Sequence, residues 1–267
     1  MGRVTDRVCL VTGAARGIGR AIGEALLDEG AKVCFADIDG EGAAHVAEAN
    51  RAQHGDRVTS AQVDVTNRAQ VRAMIAHTVD TFGRLDVKFN NAGVNKPMNF
   101  MDADEANWNF IMGVNGLGCM IGMQEAARQM IAQGPGPDGM TGKIVNTASI
   151  ASRQGFDNVA PYCASKFAVV SLTQSGARDL AKHGITVTGF APGVVRTEMW
   201  EQVDQDLMEI GAAERPGQAM EEFSSSILKG RVANPPDITG TTTFLASKDS
   251  DYMTGQIVMI DGGMTLV

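Results

Sequence analysis

The chain has 267 residues, 44% of them hydrophobic and 20% charged, with a formal net charge of −8. That length accommodates a large core but not two ordinary enzyme domains, and the acidic balance leaves no basic surplus for nucleic-acid phosphates. No apolar run approaches the roughly 20 residues of a membrane helix. Strand-like sequence starts at Val8, which leaves no room for a secretory leader, and Asp6 stands where a myristoylation motif at Gly2 wants Ser or Thr. Short β-branched runs then alternate with longer helical patterns. The runs are 8–12, 32–37, 57–63, 85–90, 143–147, 186–191 and 256–260. The helical patterns are 19–29, 41–53, 69–81, 105–132, 162–182 and 237–246, the first with an apolar stripe of Ile18, Ile22, Ala25, Leu26 and Leu27. Runs so uniformly apolar suit parallel strands covered on both faces, and unbroken alternation predicts one α/β domain over 1–267 with right-handed crossovers. One stretch breaks the rhythm: 194–233 carries no strand pattern and reads as a long loop or lid.

The motifs sit where strands end. Thr12-Gly13-Ala14-Ala15-Arg16-Gly17-Ile18-Gly19 follows the first strand and opens the first helix. Glycine permits a sharp turn and close backbone approach, and the positive helix N-terminus behind it attracts a phosphate. A spaced glycine triplet occurs in many loops; at the first strand–helix junction of an alternating chain it is a dinucleotide signal. Asp37 closes the second strand about 20 residues on, where that fingerprint places an acid. Such a carboxylate accepts from the adenosine ribose hydroxyls and repels a 2′-phosphate, which points to NAD over NADP. Two other readings stay open: Asp37 as the cap of the helix near Gly40, and Arg16 as an attractor of the extra phosphate.

Asp64-Val65 follows the third strand, Asn90-Asn91-Ala92-Gly93 the fourth, and Asn115 falls inside the pattern 105–132. Residues 134–139, Gly-Pro-Gly-Pro-Asp-Gly, read as a solvated surface connection. Ser149 follows the fifth strand, and Tyr162-Cys163-Ala164-Ser165-Lys166 opens the next long helix. Tyr and Lys at i and i+4 share a helix face. A phenol titrates near 10 and is a poor base at neutral pH, and a neighbouring ammonium pulls that value down. A drop of about 2–3 units is worth roughly 3–4 kcal/mol and lets Tyr162 exchange protons near pH 7. Taken singly, a Tyr-x-x-x-Lys pair is more often an exposed face. Cys9, Cys34, Cys119 and Cys163 form no C-x-x-C pair and have no His at ligand spacing, so no metal site is expected and a reducing, cytoplasmic setting fits. Cys163 adjoins Tyr162, yet no cationic or His partner for a nucleophile is visible.

The ensemble changes the reading. With Thr12–Gly19, Asp37, Asp64-Val65, Asn90–Gly93, Asn115, Ser149, Tyr162/Lys166, Pro192-Gly193, Thr197 and Asp261-Gly262-Gly263 in that order, the chain resembles the single-domain short-chain dehydrogenases/reductases over essentially its whole length. The resemblance implies a Rossmann-like, doubly wound parallel sheet of about seven strands with helices on both faces. It implies Tyr162 as acid/base, Ser149 as the hydrogen-bond partner of the substrate oxygen, and Lys166 as the residue that lowers the tyrosine pKa and holds the nicotinamide ribose. Asn115 would hold a water passing protons from Lys166 to solvent. The cofactor would meet Gly13, Arg16, Gly17, Ile18, Gly19, Asp37 and Ile38 at one end. Asp64 and Val65 would touch the adenine, Asn91, Ala92 and Gly93 the groove, and Pro192, Gly193, Val195 and Thr197 the nicotinamide. Singly, Asn115 reads as a helix-bend residue, Asp64 as a cap and Thr197 as a turn residue. Thr188 stands where many relatives carry Asn.

Residues 191–200 are similar to those of polyol and acetoin/butanediol dehydrogenases, and 162–175 to sorbitol-type ones. Asn95, Gln154, Met199 and Trp200 are then the candidate substrate residues, although Met199 and Trp200 equally fit an anchor for the lid. The leading expectation is an NAD-linked oxidoreductase of small polyols, diols or hydroxyketones. A second is an enzyme of bulkier or cyclic secondary alcohols, and a third a non-catalytic nucleotide-binding scaffold, against which the full Asn115/Ser149/Tyr162/Lys166 set argues. The family resemblance and the small and apolar residues of 105–132 and 162–182 suggest a homotetramer, with the apolar end 264–267 as a further contact.

Overall fold

A computed structural model describes residues 2–136 and 139–266. Strands β1 (Val8–Thr12), β2 (Lys32–Asp37), β3 (Val58–Gln62), β4 (Val87–Asn90), β5 (Gly142–Thr147), β6 (Ile185–Pro192) and β7 (Ile257–Ile260) form one sheet in the order β3-β2-β1-β4-β5-β6-β7. Every pairing is parallel; Val8 faces Lys32 and Cys9 faces Val87 across the central strand. The helices are α1 (Gly17–Asp28), α2 (Gly40–His54), α3 (Arg68–Phe82), α4 (Glu105–Ile111), α5 (Cys119–Gln133), α6 (Ala160–Leu180), α7 (Glu198–Glu209), α8 (Gln218–Ser224) and α9 (Pro236–Ala246).

Alternate side chains of each strand feed two cores. Cys9, Val11, Val33 and Phe35 pack under Ile22, Leu26 and Leu27 of α1, Val46 of α2 and Leu245 of α9. Leu10, Cys34 and Ala36 point to the other face, under Met74 of α3, Ile121 and Met130 of α5 and Val169 of α6. The expected doubly wound sheet is the one observed, and the five strands read from 8–12 to 143–147 begin within two residues of their places. After β3 the chain returns to the far side of β1 to lay down β4. The loops at the C-terminal ends of β1 and β4 therefore diverge around a crevice at the point where the winding reverses, which is where open α/β sheets bind ligands.

Two expectations are corrected. The pattern 105–132 is not one regular helix: a π-helical stretch, Met112–Gly118, separates α4 from α5. Gly113, Gly116 and Gly118 weaken the α-helix there, and the Asn115 side chain bonds outside it. The stretch 194–233 is not a plain loop. It holds α7 and α8, joined by a small core of Val203, Leu207, Ala213 and Ala219. A Val195–Ala233 bridge pins both its ends, through Arg196 N–H to Ala233 O (2.9 Å) and Ala233 N–H to Val194 O (2.9 Å). Residues 134–136 and 139 form the expected surface connection, with Gly136 N–H donating to Met140 O at 2.8 Å; Pro137 and Asp138, like Val267, lie outside the described residues. Among the described residues no helix is long and apolar enough to cross a membrane.

Candidate active site

The nucleotide end is built on backbone. Gly13 (φ +65°) and Gly17 (φ +56°) hold left-handed conformations that a side chain would strain. A Cβ at Gly13 would stand 2.8 Å from Ala92 Cα, so the loop after β1 lies directly on the loop after β4. The Asn91 side chain ties the two together, donating to Thr12 O (3.0 Å) and Gly13 O (3.2 Å). Helix α1 then opens at Gly17 with no side-chain cap and no acid in its first turn, while Ile18 packs into the core below. First-turn amides that no side chain claims, at the positive end of a helix, make an anion site.

Asp37 is not a helix cap. Asp39 caps α2, its Oδ1 accepting from Gly42 N–H at 2.9 Å. The Asp37 carboxylate instead takes Ala15 N–H (3.0 Å) with one oxygen and Asp39 N–H (3.0 Å) with the other, leaving a lone pair on each for a ligand. Ile38 beside it is exposed. Asn67, not Asp64, caps α3; Asp64 Oδ1 accepts from Thr66 N–H (2.9 Å) and Thr66 Oγ1–H (2.7 Å), and Val65 lies against Gly118.

At the chemical end, α6 carries Tyr162 and Lys166 one turn apart. The Lys166 ammonium lies 5.6 Å from the centre of the Tyr162 ring and donates to Thr147 O at 2.9 Å, and Lys166 is buried. Ser149, just beyond β5, starts a short turn by accepting Ala151 N–H (3.2 Å) and also engages the Tyr162 hydroxyl. Asn115 reaches out of the π-helical stretch: Oδ1 accepts Val94 N–H (2.8 Å), and Nδ2 donates to Val94 O (2.9 Å) and Ser165 Oγ (3.0 Å). It is a helix-bend residue and a brace of the β4 loop at once. A Cβ at Gly93 would lie 3.3 Å from Asn115 Oδ1 and 3.7 Å from Lys166 Nζ, so the four groups and the β4 loop converge.

The electrostatics differ from expectation. Burial lowers Lys166 to about 8, because a desolvated ammonium is disfavoured. Burial also raises the Tyr162 phenol, with the hydrogen bond from Ser149 working against it, so proximity of the lysine alone does not depress the tyrosine. The ammonium sits over the ring face, and desolvation is the largest influence on the phenol.

Beyond β6, Gly193 N–H donates to Ile260 O (3.0 Å), with no room for a side chain against Asp261. Pro192 ends the strand, Val195 enters the bridge to Ala233, and Thr197 precedes α7 with its methyl 3.3 Å from where a Gly17 side chain would begin. A groove of about 380 Å³ runs here between α1 and α7, lined by Gly17, Arg196, Thr197 and Glu198. Of the candidate substrate residues, Asn95 is half-buried with an unpaired, buried Oδ1; Gln154 is exposed. Met199 is exposed, and Trp200 packs edge-on against Phe223 at 5.6 Å. Phe223 in turn meets Phe156 at 5.7 Å, and Phe156 packs with Val159, Tyr162 and Cys163. Trp200 thus packs within the 194–233 segment, which meets Phe156 through Phe223. Phe156 and Phe223 escape sequence reading, although in a chain with only 10 Phe, 2 Trp and 2 Tyr an aromatic in a polar stretch is a usable signal. The four cysteines are buried and free, and among the described residues no group of three His, Cys, Asp or Glu is placed to hold a metal.

The chain is similar to proteins named as reductases and dehydrogenases. A family model described as enoyl-(acyl carrier protein) reductase matches residues 13–265. The chain is 36% identical over 259 residues to a diacetyl reductase, (S)-acetoin forming, of Staphylococcus epidermidis, covering 97% of this chain and 98% of that one. It is 40% identical over 263 residues to galactitol 2-dehydrogenase of Agrobacterium fabrum, covering 98% of each. The crystal structure of levodione reductase matches with a TM-score of 0.89 at 34% identity, again over 98% of each chain. The chain belongs to the short-chain dehydrogenase/reductase family and is an alcohol dehydrogenase/ketone reductase of that family.

Proposed function

We propose that this protein interconverts a small polyol, diol or hydroxyketone and its oxidised partner, using NAD(H) rather than NADP(H). The observation that carries the reading is the convergence of Tyr162, Lys166, Ser149, Asn115 and Gly93 beside the crevice between the β1 and β4 loops. Dehydrogenases of the family use a nicotinamide cofactor, and the residues present fit one. At Gly13 (φ +65°) the glycine loop turns too close to the Ala92 backbone for any side chain, and α1 offers uncapped amides to a pyrophosphate. Gly13, Arg16, Gly17, Ile18 and Gly19 would hold the phosphates. The free lone pairs of Asp37, beside Ile38, would take the adenosine ribose hydroxyls, which is the support for NAD. Asp64 and Val65 would flank the adenine, Asn91, Ala92 and Gly93 the groove, and Pro192, Gly193, Val195 and Thr197 the nicotinamide end.

The bound nicotinamide supplies or removes the hydride. Tyr162 Oη takes the hydroxyl proton in oxidation and returns it in reduction, while the Ser149 hydroxyl donates to the substrate oxygen as charge grows there. Lys166, near 8 and fixed by Thr147 O, favours the phenolate when charged and holds the nicotinamide ribose. The Asn115 side chain, committed to Val94 and Ser165, keeps one Oδ1 lone pair for a relay water. The unpaired Asn95 Oδ1 suits a second substrate hydroxyl, with Met199 and Gln154 toward the rim. Residues 194–233 serve as the lid of a single catalytic domain. The diacetyl reductase and galactitol dehydrogenase relatives support the substrate class; the likeness to levodione reductase supports a second reading, a bulkier or cyclic ketone. Four free thiols fit the cytoplasm. Exposed Trp108, Phe110, Leu117 and Phe167 on the α4–α5 and α6 surfaces support a homotetramer, which light scattering tests; a monomer at micromolar concentration contradicts it.

The decisive assay follows formation of NADH from NAD, or of NADPH from NADP, with vicinal diols, hexitols and cyclic alcohols. Turnover of a small diol or polyol with NAD, lost in Tyr162→Phe, is the expected result. Tight NADH binding with no turnover of any alcohol or ketone would instead mark a nucleotide-binding scaffold.

A further inference from the structure

Strand β4 carries a lysine where an apolar residue belongs: Lys88 is fully buried, flanked along the strand by Val87 and Phe89 and paired with Leu10 of β1 and Ile144 of β5. Its amine donates to Phe89 O (2.8 Å) and Thr12 Oγ1 (3.4 Å). Thr12 Oγ1 also accepts from Asn91 N–H (3.2 Å) and Ala92 N–H (3.4 Å). The amine is thus wired to the last residue before the glycine loop and to the backbone of the β4 loop, the two walls of the crevice. It also lines a small cavity of about 10 Å³ with Thr12, Asn90, Ala92 and Cys119, and no carboxylate is in that lining. Such a space holds about one water. Two of the three positions around Nζ are spent on Phe89 O and Thr12; the third carries either a lone pair or a proton. The titratable groups facing it are Cys34 of β2 and Cys119 of α5, both kept as neutral thiols by burial, while α3 presents Val71 and Met74.

We propose that Lys88 is a positioning residue for the cofactor: it takes up a proton from solvent when the dinucleotide pyrophosphate settles on the glycine loop, so that affinity falls as pH rises through neutrality. The proposal rests on the reading of that crevice as the dinucleotide site. Desolvation lowers the amine to about 7 in the free protein, and no anion lines its cavity to reverse that. A bound dianion next to Thr12 favours the charged amine through a low-dielectric medium and raises its pKa. Protons are then taken up between the free and bound values, and binding weakens across that window as pH increases. A rise of about one unit corresponds to a tenfold change in affinity.

The test titrates NADH, followed by its fluorescence, into wild-type protein and Lys88→Met between pH 6 and pH 9, with calorimetry at pH 7.5 in two buffers of different ionisation enthalpy. The wild-type Kd is expected to rise about tenfold from pH 6 to pH 9, with net proton uptake. Lys88→Met is expected to show a flatter profile and to lose most of that uptake, the remainder belonging to Lys166. The same pH profile in Lys88→Met, or no uptake by the wild type, overturns the proposal; absence of wild-type uptake overturns it even if Lys88→Met does not fold. Absence of NADH binding by the wild type at pH 6 would overturn the reading of the crevice itself, and Lys88's role with it.

Discussion

The two sides of the crevice are held together by different forces. On the glycine-loop side the chain is fixed by backbone and short side chains: Asn91 on Thr12 and Gly13 carbonyls, Asp37 on Ala15 N–H, Asn115 on both polar atoms of Val94. On the lid side, α7 and α8 share a four-residue core of their own and meet the catalytic loop through Trp200, Phe223 and Phe156. Hydrogen-bonded loops packed on a sheet have one geometry. A small apolar cluster tolerates repacking and opens at lower cost. Under the proposed function, the side assigned to the cofactor is the rigid one, and the side assigned to the alcohol is the adaptable one.

Mutations on either side separate these roles. The largest effect is expected from Tyr162→Phe, which should lower kcat about 10²–10⁴-fold while leaving NADH affinity unchanged. Turnover within tenfold of wild type would remove Tyr162 from the chemistry. Next is Gly13→Ala, which places a Cβ 2.8 Å from Ala92 Cα at φ +65°. Strain of about 1–3 kcal/mol there should weaken NADH binding roughly 10- to 100-fold, measured by fluorescence titration; an unchanged Kd would mean that the loop is not the phosphate site. Phe223→Ala removes two aromatic contacts, each worth about 0.5–1.5 kcal/mol beyond burial, and should raise substrate KM about two- to tenfold with NADH affinity intact. An equal loss of both affinities would dissolve the distinction between the sides.

The smallest effect concerns stability. The folded-state Lys88 value of about 7 lies below the ordinary lysine value of 10.5, so the unfolded chain binds more protons between them and this group makes stability rise with pH across that window. Thermal melts without cofactor should therefore shift in favour of Lys88→Met by about 3–5 °C on going from pH 9 to pH 8. A pH-independent difference would show that Lys88 stays protonated in the folded protein throughout and has no lowered pKa.

Much of this was legible in residue order. The apolar runs of β1 and β2 and the glycines between Thr12 and Gly19 announce themselves, because a buried parallel strand has no polar face and a tight turn tolerates few residues. The lid was not legible as helices: its apolar spacing at Trp200, Val203 and Leu207 is diluted by seven Asp, Glu or Gln residues in the twelve of α7. The direction of the Tyr162 shift is not legible in the sequence for a related reason. Spacing places Lys166 one turn from Tyr162, yet burial depends on neighbours from other elements.

The order and type of residues determined the alternating architecture, the loop that can approach a phosphate, and the pairing of phenol and amine on one helix face, since each follows from local backbone chemistry. Tertiary structure alone decided which amines are desolvated, how Asn115 spans from a π-helical stretch to Val94, and that Phe156 and Phe223 connect lid to catalytic loop. Those properties arise from groups far apart in the chain, and no local pattern encodes the dielectric or the contacts they create.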